Sequence, residues 1–216
     1  EVPVNRPRIM IADDHKLVGD TLRSSLEDEY DVLRVVEDGK SLIIAATELV
    51  PDLVLIDLGM PMLNGIDAGQ SLKKQFPRMK FIVVTMNEDP SIASRALRTW
   101  AAGYLLKRSA GTELKKAIRE VLSDRSYVTP SIAAKLVDHF IRDPHASANK
   151  ALTERQRQVL QLLAEGRSMK EAASVLNVTT RTIAFHKYRI MEDFGLKNNA
   201  DLVRFALRER LILNDE

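Results

Sequence analysis

The sequence predicts an α/β domain with a five-stranded, doubly wound parallel sheet, followed by an all-α domain that contains a helix-turn-helix. Two observations lead to this prediction. Residues 8–122 alternate short aliphatic runs with longer amphipathic stretches, whereas the residues from Leu152 onward show only helical patterns. Five successive strand–helix pairs imply right-handed crossovers, which place helices on both faces of a parallel sheet. We therefore expect two domains of different class.

The strands correspond to short aliphatic runs, and the helices to stretches with helical periodicity. The predicted strands are Ile9–Ala12, Val32–Val36, Leu53–Ile56, Phe81–Thr85 and Tyr104–Leu106. The predicted helices are Leu17–Glu27, Lys40–Leu49, Ile66–Phe76, Ser91–Thr99 and Thr112–Leu122. Asp89-Pro90 and Gly111-Thr112 are typical helix starts.

The segment between the two patterns predicts a linker with one short helix. Ser131–Ile141 is amphipathic, and residues 142–150 are polar, contain a proline and have no periodicity. The expected domains are therefore residues 8–123 and 151–216, joined by a linker over 124–150. Residues 1–7 are expected to be a disordered lead-in.

Composition excludes several classes of site. Of the 216 residues, 45% are hydrophobic and 29% are charged, and the net charge is only +2, so any argument for nucleic-acid binding must be local. The absence of cysteine excludes disulfides, thiolate zinc sites and cysteine nucleophiles. No apolar stretch approaches the roughly 20 residues that span a bilayer, and we see no signal peptide. A cytoplasmic location is expected.

Carboxylates follow two strands at the same edge of the predicted sheet. Asp13 and Asp14 come after the first strand, and Asp57 ends the third. Ligands bind at this edge of parallel sheets. Crowded carboxylates repel each other, and Mg²⁺, which prefers oxygen ligands, would relieve that repulsion. Gly59 permits a tight loop whose carbonyl can reach such an ion.

Two further groups at this edge complete a phosphoryl-transfer site. Thr85 ends the fourth strand and supplies a hydroxyl, and Lys107 follows the fifth and supplies a cation. With Asp57 as nucleophile, these groups suit phosphoryl transfer onto a carboxylate. Taken singly, each residue is more often a turn former, a helix cap or a solvated charge. Their coincidence at matching strand ends favours the functional interpretation.

The C-terminal helices have clear start signals. Thr153 with Gln156, and Ser168 with Glu171, have the spacing of capping boxes, and Gly166 separates the two helices. Thr179 caps a third, longer helix after a three-residue break at Asn177–Thr179. A short helix, a tight turn and a longer helix form the helix-turn-helix layout.

The third helix has one apolar and one basic face. At 100° per residue, the stripe predicted to be buried comprises Ile183, His186, Ile190 and Phe194. The opposite face carries Arg181, Ala184, Phe185, Tyr188 and Arg189, and Lys187 borders the stripe. Three basic and no acidic residues lie between Thr180 and Met191, which suits a helix in the major groove. Alone, such a helix is more often a solvated face, and its aromatic side chains could equally pack on another domain.

The elements IADDH, LIDLGMPMLNG, FIVVTM and AAGYLLKRSA, in this order, resemble the receiver domain of bacterial response regulators over residues 8–122. The resemblance implies a flavodoxin-like fold. It also implies Asp57 as phosphoacceptor, with Asp14, Asp57 and the Gly59 carbonyl as Mg²⁺ ligands and Asp13 in the outer acidic cluster. Thr85 and Lys107 would sense the phosphoryl group, and Tyr104 would be the switch aromatic.

The phosphoryl donor implied by the resemblance is a phosphohistidine on a sensor kinase. His15 is not that donor, and we expect it to be exposed or to cap a helix. Gly59 and Asn87 occupy positions that face the attacking water in this family. Because Gly59 has no side chain, the lifetime of the phosphoryl group is not predicted.

The sequence from Leu152 to Leu207 resembles the LuxR-type DNA-binding domain, so the chain as a whole is similar to NarL/FixJ-type response regulators. This implies a four-helix domain whose third helix binds double-stranded DNA. The DNA-binding candidates are Thr180, Arg181, Phe185, Lys187, Tyr188 and Arg189. A last helix around Ala200–Leu207 would form a homodimer through Leu202, Val203 and Ala206.

Three features depart from the LuxR pattern. Ala184 replaces a common basic residue, and Ala172-Ala173 thins the packing of the second helix. Glu192-Asp193 stands where a basic pair is common and would repel phosphates.

From the two resemblances together, we predict a phosphorylation-controlled transcriptional regulator that is not an enzyme. The alternatives are a protein-interaction switch with weak or vestigial DNA binding and, with less support, an aspartyl-phosphate hydrolase.

Overall fold

The computed structural model describes residues 6–142, 152–209 and 211–212. The strands are β1 Arg8–Ala12, β2 Asp31–Val36, β3 Leu53–Ile56, β4 Lys80–Thr85, β5 Gly103–Leu106 and β6 Tyr127–Val128. The first six helices are α1 Lys16–Leu26, α2 Gly39–Leu49, α3 Gly65–Gln75, α4 Pro90–Thr99, α5 Ala110–Leu122 and α6 Pro130–Arg142. The others are α7 Glu154–Ala164, α8 Met169–Val175, α9 Thr180–Phe194 and α10 Asn199–Arg208.

All five predicted strands and the five helices that follow them are confirmed within one or two residues. Asp89 caps α4 through the Ser91 amide, and Pro90 opens that helix. The start of α5 differs from the prediction. A 3₁₀ turn over Lys107–Ser109 leads into this helix at Ala110, before the predicted Gly111-Thr112 start.

The sheet of the N-terminal domain is parallel throughout, with strand order β2-β1-β3-β4-β5-β6. Each face of the sheet carries its own apolar core. Met10, Val54 and Phe81 point into one core, and Ile9 and Leu55 into the other. Because β1, β3 and β4 are covered on both sides, their sequences are almost continuously apolar. The carboxyl ends of these strands meet at one edge, where polar side chains follow.

The expected linker region contributes a sixth strand and a helix to the N-terminal domain. β6 pairs in parallel with β5, and the Thr129 hydroxyl accepts a hydrogen bond from the Leu106 amide at 3.1 Å. The short helix predicted here is present as α6, and its Ile132 and Leu136 are buried in the core of the N-terminal domain. Of the polar stretch predicted over 142–150, residues 143–150 lie outside the described residues, as do residues 1–5 of the predicted lead-in.

The C-terminal domain is helical, as predicted, and consists of α7 to α10. Both capping boxes are present, and the Thr179 side chain caps α9. Val159 and Ile183 pack in one small core, and Leu160 and Ile190 in another. Gly195 ends α9 with a φ of 66°, a left-handed conformation that favours glycine.

The predicted dimer contacts need a correction. Leu202 and Ala206 are buried in the core of their own domain, so they are not available to a second chain. Because they are four residues apart, both lie on the same face of α10. Only the packing of the helix shows that this face is the inner one. Val203 is partly exposed. Among the described residues, no helix is long and apolar enough to cross a membrane.

Candidate functional sites: an acidic pocket and an exposed basic helix

The acidic pocket lies at the carboxyl ends of β1, β3 and β5. Asp13 and Asp57 are buried, with 1% and 3% of their surfaces exposed, and Lys107 reaches both of them. The Lys107 Nζ atom lies 2.7 Å from Asp57 Oδ2 and 2.8 Å from Asp13 Oδ2. The other Asp57 oxygen accepts a hydrogen bond from the Leu58 amide at 2.7 Å. The predicted convergence of these three side chains is thus what the fold produces.

The charges in the pocket shift one another's ionisation. Burial raises the pKa of Asp13, and the charge of Asp57 adds to this, while the hydrogen bond from Lys107 opposes it. Burial by itself lowers the pKa of Lys107, but the two carboxylates outweigh it and the pKa is raised. Lys107 therefore stays cationic and partly neutralises a pocket that would otherwise hold adjacent unpaired carboxylates.

The donor set of this pocket fits a hard divalent cation. Ligand atoms of Asp13, Asp14, His15 and Asp57 all lie within 4.8 Å of one another, and three of these side chains are carboxylates. Oxygen-rich sets of this kind are typical of Mg²⁺ sites. His15 is exposed, as expected, and its Nδ1 lies 2.8 Å from Asp14 Oδ1. It occupies the N-cap position of α1, but its side chain makes no capping hydrogen bond.

The other predicted groups of the receiver surround the loop that follows β4. The Thr85 hydroxyl accepts a hydrogen bond from the Asn87 amide at 3.2 Å. Tyr104 is fully buried, and its hydroxyl donates to the Asn87 carbonyl at 2.9 Å. Tyr104 and Thr85 are thus connected through one residue, Asn87. Gly59 lies in the β3–α3 loop, two residues after Asp57.

Close packing at the start of α3 requires glycine. A Cβ atom at Gly65 would lie 1.9 Å from the Asp57 carbonyl oxygen. No real Cβ contact is this short, so a larger residue would displace the backbone next to the carboxylate. Gly65 therefore helps to place Asp57.

The basic face of α9 is exposed as predicted. Thr180, Arg181 and Arg189 are exposed, and 58% of Phe185 and 61% of Tyr188 are open to solvent. Lys187 is half-buried, with its Nζ 5.9 Å from the centre of the Tyr188 ring. Arg189 lies 3.8 Å from Asp193, one turn later. Because more than half of each of these two aromatic side chains is exposed, the face is available to a ligand.

The predicted buried stripe of α9 is confirmed in part. Ile183 and Ile190 are fully buried, whereas Phe194 is only partly buried. His186, expected in the core, is partly exposed and lies edge-on to Phe185 with ring centres 5.4 Å apart. Burial lowers its pKa, and the charge of Arg155 lowers it further.

A buried polar contact between the domains was not predicted. Arg157 of α7 donates to Asp67 of α3 from Nε at 2.9 Å and from Nη2 at 2.6 Å, and both side chains are buried. Burial raises the pKa of Asp67 despite this pairing. Gln161, one turn after Arg157, contacts the β3–α3 loop. The spacing of Arg157 and Gln161 places them on one helix face, but spacing does not identify a partner.

Comparisons with known proteins agree with both halves of this description. The model of the response regulator receiver domain matches residues 9–119, and that of the luxR family of bacterial regulatory proteins matches residues 150–206. The oxygen regulatory protein NreC of Staphylococcus carnosus is 31% identical over 214 residues, which cover 95% of this chain and 99% of that protein. NreC of Staphylococcus aureus strain JH9 is 33% identical over the same share of each chain.

Solved structures of similar length also match. The RcsB response regulator of Salmonella typhimurium has a TM-score of 0.67 and 31% identity, covering 97% of this chain and all of that one. RcsB in a complex with DNA has a TM-score of 0.58 and 31% identity, covering 93% and 98% of the two chains. The chain therefore belongs to the NarL/FixJ-type response regulators, DNA-binding transcriptional regulators in which a receiver domain precedes a LuxR-type helix-turn-helix domain.

Proposed function

We propose that Asp57 is the residue of this regulator that accepts the phosphoryl group. The observation that carries this proposal is the buried Asp57 carboxylate paired with Lys107 at the carboxyl edge of the sheet. A carboxylate oxygen of Asp57 would attack the phosphorus of a phosphohistidine on the sensor kinase. The new P–O bond forms as the P–N bond breaks, and the departing imidazole nitrogen takes up a proton. Asp57 thereby becomes an acyl phosphate.

Mg²⁺ is the cofactor that suits this pocket. Asp14, Asp57 and the Gly59 carbonyl would hold the ion, with Asp13 in the outer acidic cluster. When bound, Mg²⁺ supplies positive charge that offsets the charge developing on the phosphoryl oxygens. Lys107 remains beside Asp57 and can pair with a phosphoryl oxygen once the carboxylate is phosphorylated.

Thr85 and Tyr104 would transmit the phosphorylation state. A phosphoryl oxygen on Asp57 can accept a hydrogen bond from the Thr85 hydroxyl, which now accepts one from the Asn87 amide. Movement of Thr85 would then disturb Asn87, whose carbonyl accepts the Tyr104 hydroxyl. The change would shift the conformation of the fourth and fifth strand–helix units. This shift would in turn alter homodimer formation and DNA binding.

The exposed face of α9 is the DNA contact that we propose. Arg181, Phe185, Tyr188 and Arg189 would meet base edges or backbone, and Thr180 and Lys187 would meet phosphates. The interdomain hydrogen bonds described above come from α7 and the turn that follows it, not from α9, so this face stays open while the domains are in contact. Binding is expected to weaken steeply with added salt.

The test combines phosphorylation with DNA binding. We expect intact-protein mass spectrometry to show one added phosphoryl group after incubation with acetyl phosphate and Mg²⁺, and none in Asp57→Asn. Asp20→Asn, at an exposed position on α1, is the matched control and should react like the parent. Phosphorylated protein should retard genomic DNA fragments on a gel. Phosphate uptake by Asp57→Asn at the parent rate would refute the phosphoacceptor assignment.

A second candidate is a protein-interaction switch with weak DNA binding. It is favoured by Ala184, which leaves position 184 of α9 without the basic residue that is common there, and by the Arg189–Asp193 ion pair, which diverts one cation. Parent-like regulated output in cells after replacing Arg181 and Arg189 by alanine would support this alternative over DNA recognition.

A further inference from the structure

Gln161 of the DNA-binding domain holds the backbone of the β3–α3 loop, which leads from Asp57 to α3. Its Nε2 atom donates to the Met60 carbonyl at 2.9 Å, and its Oε1 atom accepts the Asn64 amide at 2.9 Å. Oε1 also accepts the Asn64 side-chain amide at 3.0 Å. Only 1% of Gln161 is exposed, so water does not compete for these hydrogen bonds. One side chain thus spans the loop.

The loop residue between these contacts is strained and is also held by the DNA-binding domain. Met62 has a φ of 65°, in the left-handed region that non-glycine residues rarely adopt. Its backbone amide donates to the Glu165 carboxylate, and Arg167 Nη2 lies 2.9 Å from its sulfur. Strained backbone persists where its surroundings over-determine it. The DNA-binding domain supplies that support here.

The position of Gln161 is itself fixed by the buried ion pair described above. Arg157 lies one turn before Gln161 on α7, and Asp67 lies three residues after Asn64 in the first turn of α3. The Arg157 Nη1 atom donates to the Leu152 carbonyl, so the guanidinium has partners in both domains. Rotation or sliding of α7 relative to the loop would therefore break a buried charge pair, which is costly.

These contacts reach the pocket because Gly59 immediately precedes Met60. We propose that Gln161 is a positioning residue for the metal site: by holding Met60 and Asn64, it keeps the Gly59 carbonyl in the geometry that Mg²⁺ requires. The inference rests on the proposed function in one respect, since it takes the Gly59 carbonyl as a ligand. By linkage, Mg²⁺ bound in the pocket strengthens the contact between the domains by the same factor.

Hydrogen exchange and metal affinity test this role in the full-length chain. In Gln161→Ala, the Asn64 amide loses its acceptor, and we expect its exchange in metal-free protein to be about fivefold faster by NMR. We expect the Kd for Mg²⁺, measured by calorimetry, to rise about fivefold or more.

Gln158→Ala is the matched control. Gln158 is a glutamine on the same helix whose side chain accepts from Arg155 in its own domain, so both readouts should stay at parent values. Equal Mg²⁺ affinity in Gln161→Ala and Gln158→Ala, or tighter binding in Gln161→Ala, would overturn the inference. If the parent protein binds no Mg²⁺, the proposed metal site is refuted as well. This outcome differs from failure of the Gln161 role, because it is seen in the parent protein without any substitution at position 161.

Discussion

The two functional regions of this regulator treat charge in opposite ways. In the receiver, Asp13 and Asp57 are buried, and both pair with the partly buried Lys107 at 2.7–2.8 Å. On α9, Arg181 and Arg189 are exposed, and Phe185 and Tyr188 present their rings to solvent. The receiver pocket is thus built by convergence of several strands, whereas the DNA-binding face is a single helix surface.

The difference follows from the size of the two ligands. A phosphoryl group and a metal ion are small, so groups from several strands must surround them, and low solvent access strengthens each interaction. DNA is large and carries its charge on the outside, so the side chains that contact it must project from the protein. Substitutions in the pocket should therefore change stability, and substitutions on α9 should change binding alone.

The largest expected effect is that of Lys107→Met. Removing the cation leaves two buried carboxylates unpaired, so we expect the free energy of unfolding of the metal-free receiver to fall by about 3–5 kcal/mol. Fluorescence of Trp100, the single tryptophan, follows receiver unfolding, because this residue is buried against Phe81. Lys115→Met removes a solvent-screened pairing with Asp28 and Glu29 at the surface and should cost far less than Lys107→Met. Equal losses in the two variants would contradict the comparison.

A smaller effect, and of a different kind, is expected for Arg181→Ala. Because Arg181 is exposed, its loss should change the stability of the domain by less than about 0.5 kcal/mol. DNA binding should weaken by about 1–3 kcal/mol if Arg181 reads a base, measured by fluorescence anisotropy on a footprinted site. If Arg181→Ala lowers the melting temperature so far that unfolding of the domain explains the weaker DNA binding, the role of Arg181 is structural.

The smallest expected effect is that of Ala184→Lys, which restores a basic residue at position 184 of α9. The new charge should strengthen DNA binding and steepen the salt dependence by about one unit of slope. Binding isotherms at several salt concentrations measure this slope. Ala200→Lys, at an exposed position on α10, is the control for added charge. An equal increase in the two variants would show that position 184 has no special access to DNA.

Most of the receiver pocket could be predicted because the ends of buried strands can be identified from the sequence. An apolar run that stops at a carboxylate, a hydroxyl or a lysine marks the end of a buried strand, and parallel strands bring their carboxyl ends to one edge. Asp13, Asp57 and Lys107 meet for this reason. The caps at Thr153, Ser168 and Thr179 were predictable because each depends on residues three positions apart.

Other features depend on contacts between distant segments, and local periodicity carries no information about such contacts. β6 consists of two residues, too few to show an alternating pattern, and it forms because β5 offers a free edge. Leu202 and Ala206 fit either an inner or an outer apolar face until α10 packs on α7.

By itself, the sequence determined the order and limits of most elements, the edge at which the acidic residues gather, and the basic character of α9, because these follow from local periodicity, capping and strand direction. Only the tertiary structure decided that α7 docks on α3, that Arg157 pairs with Asp67, and that Gln161 holds the loop after Asp57. Residue pairs about 90 to 100 positions apart make these contacts. No local pattern specifies which polar side chains will be buried together and form hydrogen bonds with each other.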